Sequence, residues 1–466
     1  MNLPPEVTRA AVPADVGTAR ASQTDGQSPT ERADPHKTKT RRRTITRTAL
    51  SGVLTKTAAF LPALGIAPLA VHHLGTERFG VLMTVLSLVA FLSIADMGIG
   101  GSLVTGISRA VGAGNSRRVR LLQANGLVAV MVISLLMSAA AAVLALSSVG
   151  SLVFPQSAVP VQQEATRALA VFTFLFALGL PTTLVAKIQL GLQQGHVANN
   201  WQTLAGLLNF AGGTAACLLN ASVPWIIAGL LAGTLSCGIA NSICQFNADS
   251  TLRPALADVR RRALRYILRD SALYLALQLI FVATYAADTL IVARKLGAAD
   301  ASSYALAERL FSIVAVAISV FTGPLWAAYG EAMGSGDHAW ARRCLRVSIW
   351  RVLLAGSAIS GGVLLLIDPL IMLFGAGQLK VPIGLAVAMA LWRVVEAVGG
   401  TFSVYLLASK AIRVVLLAGA VTAAASLLAK IYGVTHFGPA MLPIATSACY
   451  VFLTLVPCWW YLRRQR

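Results

Sequence analysis

Apolar runs of about 20 residues, separated by short polar or basic segments, dominate the chain from residue 50 onward, and each is long enough to cross a bilayer as a helix. They predict about twelve membrane helices, centred near residues 60, 89, 134, 179, 211, 235, 283, 315, 358, 395, 421 and 451. Residues 1–45 have no apolar period and read as a disordered cytoplasmic tail without a signal-peptide pattern. The basic run that closes it, Lys37 to Arg47, reads as a topological anchor on anionic membrane lipid.

One pattern occurs twice. Leu74-Gly75-Thr76-Glu77-Arg78-Phe79-Gly80 opens an apolar stretch that ends at Gly112-Ala113-Gly114-Asn115, followed by Arg117 and Arg118. Leu296-Gly297 opens another, ending at Gly334-Ser335-Gly336-Asp337 and followed by Arg342 and Arg343. The glycines at 75 and 297, like those at 112 and 334, lie 222 positions apart, close to half of the 466 residues. This predicts an all-α polytopic protein of two six-helix lobes, 46–250 and 271–466, parallel repeats around a central cavity. Between them, residues 251–270 place Leu256, Val259, Ala263, Leu264 and Ile267 at helical spacing against Arg260, Arg261, Arg262, Arg265 and Arg269. That segment reads as a basic amphipathic linker at the membrane interface.

Composition agrees: 56% of residues are hydrophobic and only 12% charged, outside the range of an ordinary soluble domain. The net charge of +20 raises the question of nucleic acid, and the placement of Lys and Arg answers it. Nine precede residue 50, and twenty more, Lys187 among them, lie in alternate loops or at helix ends facing them. The opposite loops hold six: Arg78, Arg167, Arg294, Lys295, Lys380 and Lys430. The charge is therefore a topology signal with both termini in the cytoplasm, and no nucleic-acid partner is implied. The six cysteines show no CxxC spacing and predict neither disulfides nor a zinc site. No GxSxG, HExxH or Walker sequence is present, so neither an enzyme nor a cofactor is expected.

Six charges fall within apolar spans or at their edges. Lys56 lies in the first, Asp288 in the seventh, Glu308 and Arg309 in the eighth, and Arg393 and Glu396 in the tenth. Charge at membrane depth faces a cavity or a partner. Arg393 and Glu396 are one helical turn apart and suited to pairing, whereas Glu308 and Arg309 are adjacent and point apart. One of the latter needs a partner elsewhere, with Asp288 a candidate. Pro62 and Pro68, together with Pro181, Pro224, Pro324 and Pro457, predict kinked spans.

The opening Leu74 to Gly80, Asp96-Met97-Gly98, the turn Gly112-x-Gly114-Asn115, Gly191-Leu192-Gln193-Gln194 with Asn199-Asn200, and Gly334-x-Gly336-Asp337 together resemble the polysaccharide flippases of the MATE-like exporter superfamily. The resemblance spans about residues 45–462 and implies a Wzx-type flippase of the bacterial cytoplasmic membrane. Such a protein moves an undecaprenyl-diphosphate-linked oligosaccharide from the inner to the outer leaflet, for surface polysaccharide or exopolysaccharide synthesis. Its partners are that substrate, membrane lipids and other polysaccharide assembly proteins. By location in the spans, Lys56, Arg309 and Arg393 become the expected anion site, and Asp288, Glu308 and Glu396 the coupling or charge-balancing acids. A cation-coupled drug or metabolite exporter of the same superfamily, or a nontransporting scaffold, remains an alternative from the sequence.

Overall fold

A computed structural model describes residues 35–87, 95–155, 157–248, 253–374 and 381–464. Among them the regular elements are helices. In order they are α1 (Pro35–Ser87), α2 (Ile99–Gly112), α3 (Ser116–Leu146), the short α4 (Val149–Val153), α5 (Val159–Gly191), α6 (Gly195–Leu218) and α7 (Val223–Ala248). A 3-10 turn (Leu256–Asp258) leads to α8 (Arg261–Lys295), α9 (Ala298–Gly334), α10 (His338–Leu365), α11 (Ile367–Phe374), α12 (Ile383–Ala408) and α13 (Ile412–Phe437). The last span joins α14 (Met441–Tyr450), a π-helical segment (Val451–Leu455) and α15 (Val456–Arg464). Among the described residues, eight spans are long and apolar enough to cross a membrane. With α6, α8 and the two spans that share α1 and α2, the architecture is that of about twelve membrane helices.

The repeat read in the sequence is reproduced in backbone detail. Gly75 (φ 71°, ψ 171°) separates the two arms of α1, and Gly297 (φ 102°, ψ 175°) makes the same one-residue turn between α8 and α9. Only glycine takes that conformation without strain. At the other end of each copy, the Asn115 amide N–H donates to the Ala110 carbonyl and the Asp337 amide N–H to the Ala332 carbonyl. The Asn115 side chain then caps α3 by accepting from the Arg118 amide at 2.9 Å, and Asp337 caps α10 through the Trp340 amide at 3.1 Å.

The copies differ between these matched ends. Residues 298–334 form one continuous helix, whereas the equivalent stretch of the first lobe is interrupted at 95–98. Asp96 occupies this interruption. Its carboxylate accepts from the Gly98 and Gly100 amides at 3.0 and 3.1 Å, satisfying the start of α2. Pro181 lies inside α5, and the carbonyl of Ala177, four residues earlier, accepts instead from the Ser134 hydroxyl at 2.6 Å. Helix is assigned unbroken across Pro62 and Pro68, and the non-helical residue within α1 is Gly75.

Packing is that of a lipid-solvated protein. Leu135, Leu354, Leu428 and Phe452 are exposed on the outer faces. Inside, Ile99, Leu103, Leu184 and Ile188 form one core of the first lobe, with Phe172, Ile226 and Ile227 in another. Phe311, Leu385 and Leu442 belong to a core of the second. Two expectations need correction. Residues 35–45 belong to helix α1 and not to a disordered tail, because Arg41 is buried against the other lobe; residues 1–34 lie outside the described residues. Within the linker, residues 261–270 are the first turns of the spanning helix α8, amphipathic as expected, with Ile267 buried and Arg261, Arg262, Arg265 and Arg269 exposed.

Candidate functional site: a cationic cavity between the lobes

The lobes meet tightly at the end that carries the basic loops. A Cβ on Gly112 would run into the Glu331 carbonyl, and one on Gly334 into the Arg109 carbonyl, so α2 and α9 touch backbone to backbone through symmetry-related glycines. Around this crossing, Thr105 bonds the Tyr274 hydroxyl at 2.8 Å and accepts from the Trp326 indole at 2.9 Å. Arg109 donates to the Ala408 carbonyl at 3.1 Å. Arg41 closes the seam. Only 5% exposed, it reaches Glu331 at 2.5 Å and Asp337 at 2.6 Å, donates to Ser335, and lies 4.7 Å over the Trp340 ring. Burial works against its charge, but the two carboxylates outweigh it and raise its pKa above the ordinary value.

An open cavity of about 630 Å³ is lined by α1, α5, α6 and α7 of the first lobe and α9 of the second. Its cations are Lys56 and Lys187. Asn199, Gln202, Asn209 and Asn241 supply amides; Thr55, Thr182, Thr183, Thr234 and Ser319 supply hydroxyls. No Asp or Glu is among the lining residues, so the site is net positive. Several polar groups are held in place: Thr55 bonds Thr203 at 3.0 Å, Asn199 donates to the Thr48 carbonyl at 2.8 Å, and Gln189 and Asn241 exchange two bonds. Such a wall accepts hydroxyl-rich and anionic groups together.

Of the three cations expected to form one anion site, the structure places only Lys56 in this cavity. Arg309 is exposed, three turns or about 16 Å along α9 from Val320, on the same helical face as that cavity residue. Arg393 is turned inward and ion-paired with Glu396 at 2.7 Å, the one-turn pair that their spacing suggested. Lys187 was counted among the basic loop residues because it stands one turn from the end of α5; it lines the cavity instead.

The second lobe holds a separate network. The Lys430 ammonium, fully buried on α13, lies 2.6 Å from Asp288 and donates to the Thr284 carbonyl at 3.0 Å. The Tyr304 hydroxyl donates to Asp288 at 3.0 Å. Lys430 therefore does not belong to an outer loop, and it, not Arg309, is the partner of Asp288. Glu308 sits in the field of Arg393, Asp288, Glu396 and Lys430. Glu396 also lines a second cavity, about 370 Å³, with Thr284, Tyr450 and Thr454. Among the described residues no His, Cys, Asp and Glu cluster fits a metal ion.

Residues 44–326, more than half of the chain, match the family described as polysaccharide biosynthesis protein. No curated protein matches by sequence. In fold the chain is similar to a MATE crystallised in complex with MaL6, at a TM-score of 0.74 and 16% identity over 91% of this chain and 96% of that one. It is equally similar to an outward-facing multidrug resistance MATE family transporter of the MOP superfamily, with a TM-score of 0.74 and 18% identity over 91% and 96%. A MOP superfamily transporter from Pyrococcus furiosus, described by the reverse polarity of its binding pocket, aligns at a TM-score of 0.75 and 14% identity over 91% and 96%. With its two repeated lobes in the MATE arrangement, the chain belongs to the polysaccharide biosynthesis protein family of membrane proteins.

Proposed function

We propose that the protein is a flippase that carries a lipid-linked oligosaccharide, an undecaprenyl diphosphate conjugate, across the bacterial cytoplasmic membrane. The observation that carries this reading is the inter-lobe cavity with Lys56 and Lys187 and no carboxylate in its lining. Two ammonium groups suit a diphosphate through charge-assisted hydrogen bonds, while the amides and hydroxyls around them suit sugar hydroxyls. The polyprenyl chain stays in lipid. An exporter of cationic drugs would want the opposite polarity in this cavity.

On this reading the basic end faces the cytoplasm, as the distribution of Lys and Arg implies. The Arg41 seam is then the cytoplasmic closure, and transport alternates by opening it and closing the far end. Arg309, on the cavity side of α9, receives the anion later in the path. Asp288, Glu308 and Glu396 balance the charges of Lys430 and Arg393 and offer carboxylates for a coupling cation.

Deletion of the gene, followed by analysis of lipid-linked oligosaccharides, tests the function. Intermediates trapped on the cytoplasmic leaflet support it. Unchanged glycolipids with altered drug sensitivity would favour an exporter.

A further inference from the structure

The first turns of α1 carry Lys39, Arg43 and Arg47 at positions i, i+4 and i+8, which places them on one stripe of the helix. Arg41 points to the opposite side and is consumed by Glu331 and Asp337. The three stripe residues are exposed, and among the described residues none has a carboxylate within ion-pair distance. Like charges one turn apart repel, so the stripe is unfavourable until an anion neutralises it. It faces the first turn of α6, where His196 completes a concavity of about 290 Å³ lined by Lys39, Thr40, Arg43, Thr44, Arg47 and His196. The Nδ1 atom of His196 is buried with no hydrogen-bond partner among the described residues, and α6 starts without a side-chain cap. Both features add to an environment that wants anionic oxygens.

The position is as informative as the charge. Thr48 and Gly195, the residues next to Arg47 and His196, line the inter-lobe cavity. The concavity therefore lies beside that cavity at its basic end, among the charges that precede the first membrane helix.

We propose that Lys39, Arg43, Arg47 and His196 form a binding site for the net-anionic, phosphate-bearing headgroup of a membrane lipid. The phosphate oxygens accept from the two guanidinium groups and the ammonium, with the His196 ring forming the wall opposite them. A phosphodiester lipid of the bulk membrane and the diphosphate of a polyprenyl conjugate share this chemistry. Only the second source rests on the flippase reading.

The test uses the full chain in phosphatidylcholine nanodiscs doped with phosphatidylglycerol or, separately, with undecaprenyl diphosphate, and native mass spectrometry to count retained lipid. Each charge removed from the site is expected to lower retention of the lipid bound there roughly fivefold. The K39Q/R43Q/R47Q variant should thus fall at least tenfold below wild type for the lipid that binds, while a control variant, R342Q/R343Q/R346Q, removes equal charge elsewhere and should not. Preference for phosphatidylglycerol assigns the site to bulk lipid, and preference for undecaprenyl diphosphate assigns it to substrate capture; either supports the site. Equal retention by wild type and K39Q/R43Q/R47Q, equal loss in the control, or no preference over phosphatidylcholine would overturn it. Should the triple variant fail to fold, R43Q alone carries the test at roughly fivefold. K56A/K187A, expected to lose translocation, should keep this lipid, which separates failure of the site from failure of the flippase reading.

Discussion

At the scale of single residues, the two lysines of the cavity and the lysine of the second lobe make different predictions. No carboxylate lines the cavity with Lys56 and Lys187, and neither lysine is ion-paired among the described residues, so removing either takes positive charge from the substrate. Lys56→Ala and Lys187→Ala are expected to lower polysaccharide export roughly tenfold each at unchanged protein level, with partial retention in the Lys→Arg variants, measured on surface polysaccharide. Lys430 behaves otherwise. Fully buried against Asp288, it leaves an uncompensated charge when replaced. Lys430→Met is expected to destabilise the protein by about 3–5 kcal/mol, and the double variant with Asp288→Asn to recover most of it. Thermal unfolding of the detergent-solubilised variants checks both.

At the scale of elements, the paired Gly-x-Gly turns and the α2 and α9 crossing are the joints of the fold. Asn115→Ala removes one helix cap and should lower stability by about 1 kcal/mol. Asp337→Ala removes a cap and also a partner of Arg41, so its effect on unfolding temperature should be clearly larger. The repeat was legible in the sequence because its landmarks are local: Gly75, Gly297, Asn115 and Asp337 each do work that depends on their immediate neighbours. The pair Arg393 and Glu396 was legible for the same reason, being one turn apart on one helix. Lys187 and Lys430 were not. Each stands close to the end of its helix, where a cation normally marks topology, and only the packing of other helices turns them inward. Arg41 was hidden likewise within a basic run, since its carboxylates lie some 290 positions away.

At the scale of the whole molecule, the seam at the basic end holds the lobes in one state. Arg41 is the part of it that a single substitution removes while leaving the glycine crossing intact. Arg41→Ala should shift the population towards lobes parted at that end. Spin labels at Lys39 and Arg343, on either side of the seam, should then report a longer and broader distance distribution than in the otherwise unchanged protein. An unaltered distribution would mean that the glycine crossing alone keeps the end shut.

The central claim is that the cationic cavity carries a diphosphate-linked sugar across the bilayer. It is met most directly by reconstituting the protein in liposomes with an undecaprenyl-diphosphate oligosaccharide and following, with an impermeant glycosidase, the appearance of sugar on the far leaflet. The account predicts that wild type exposes the sugar and that K56A/K187A, equally folded and equally inserted, does not. Sugar appearing at the same rate with the double variant, or at the rate of protein-free liposomes with wild type, would contradict it.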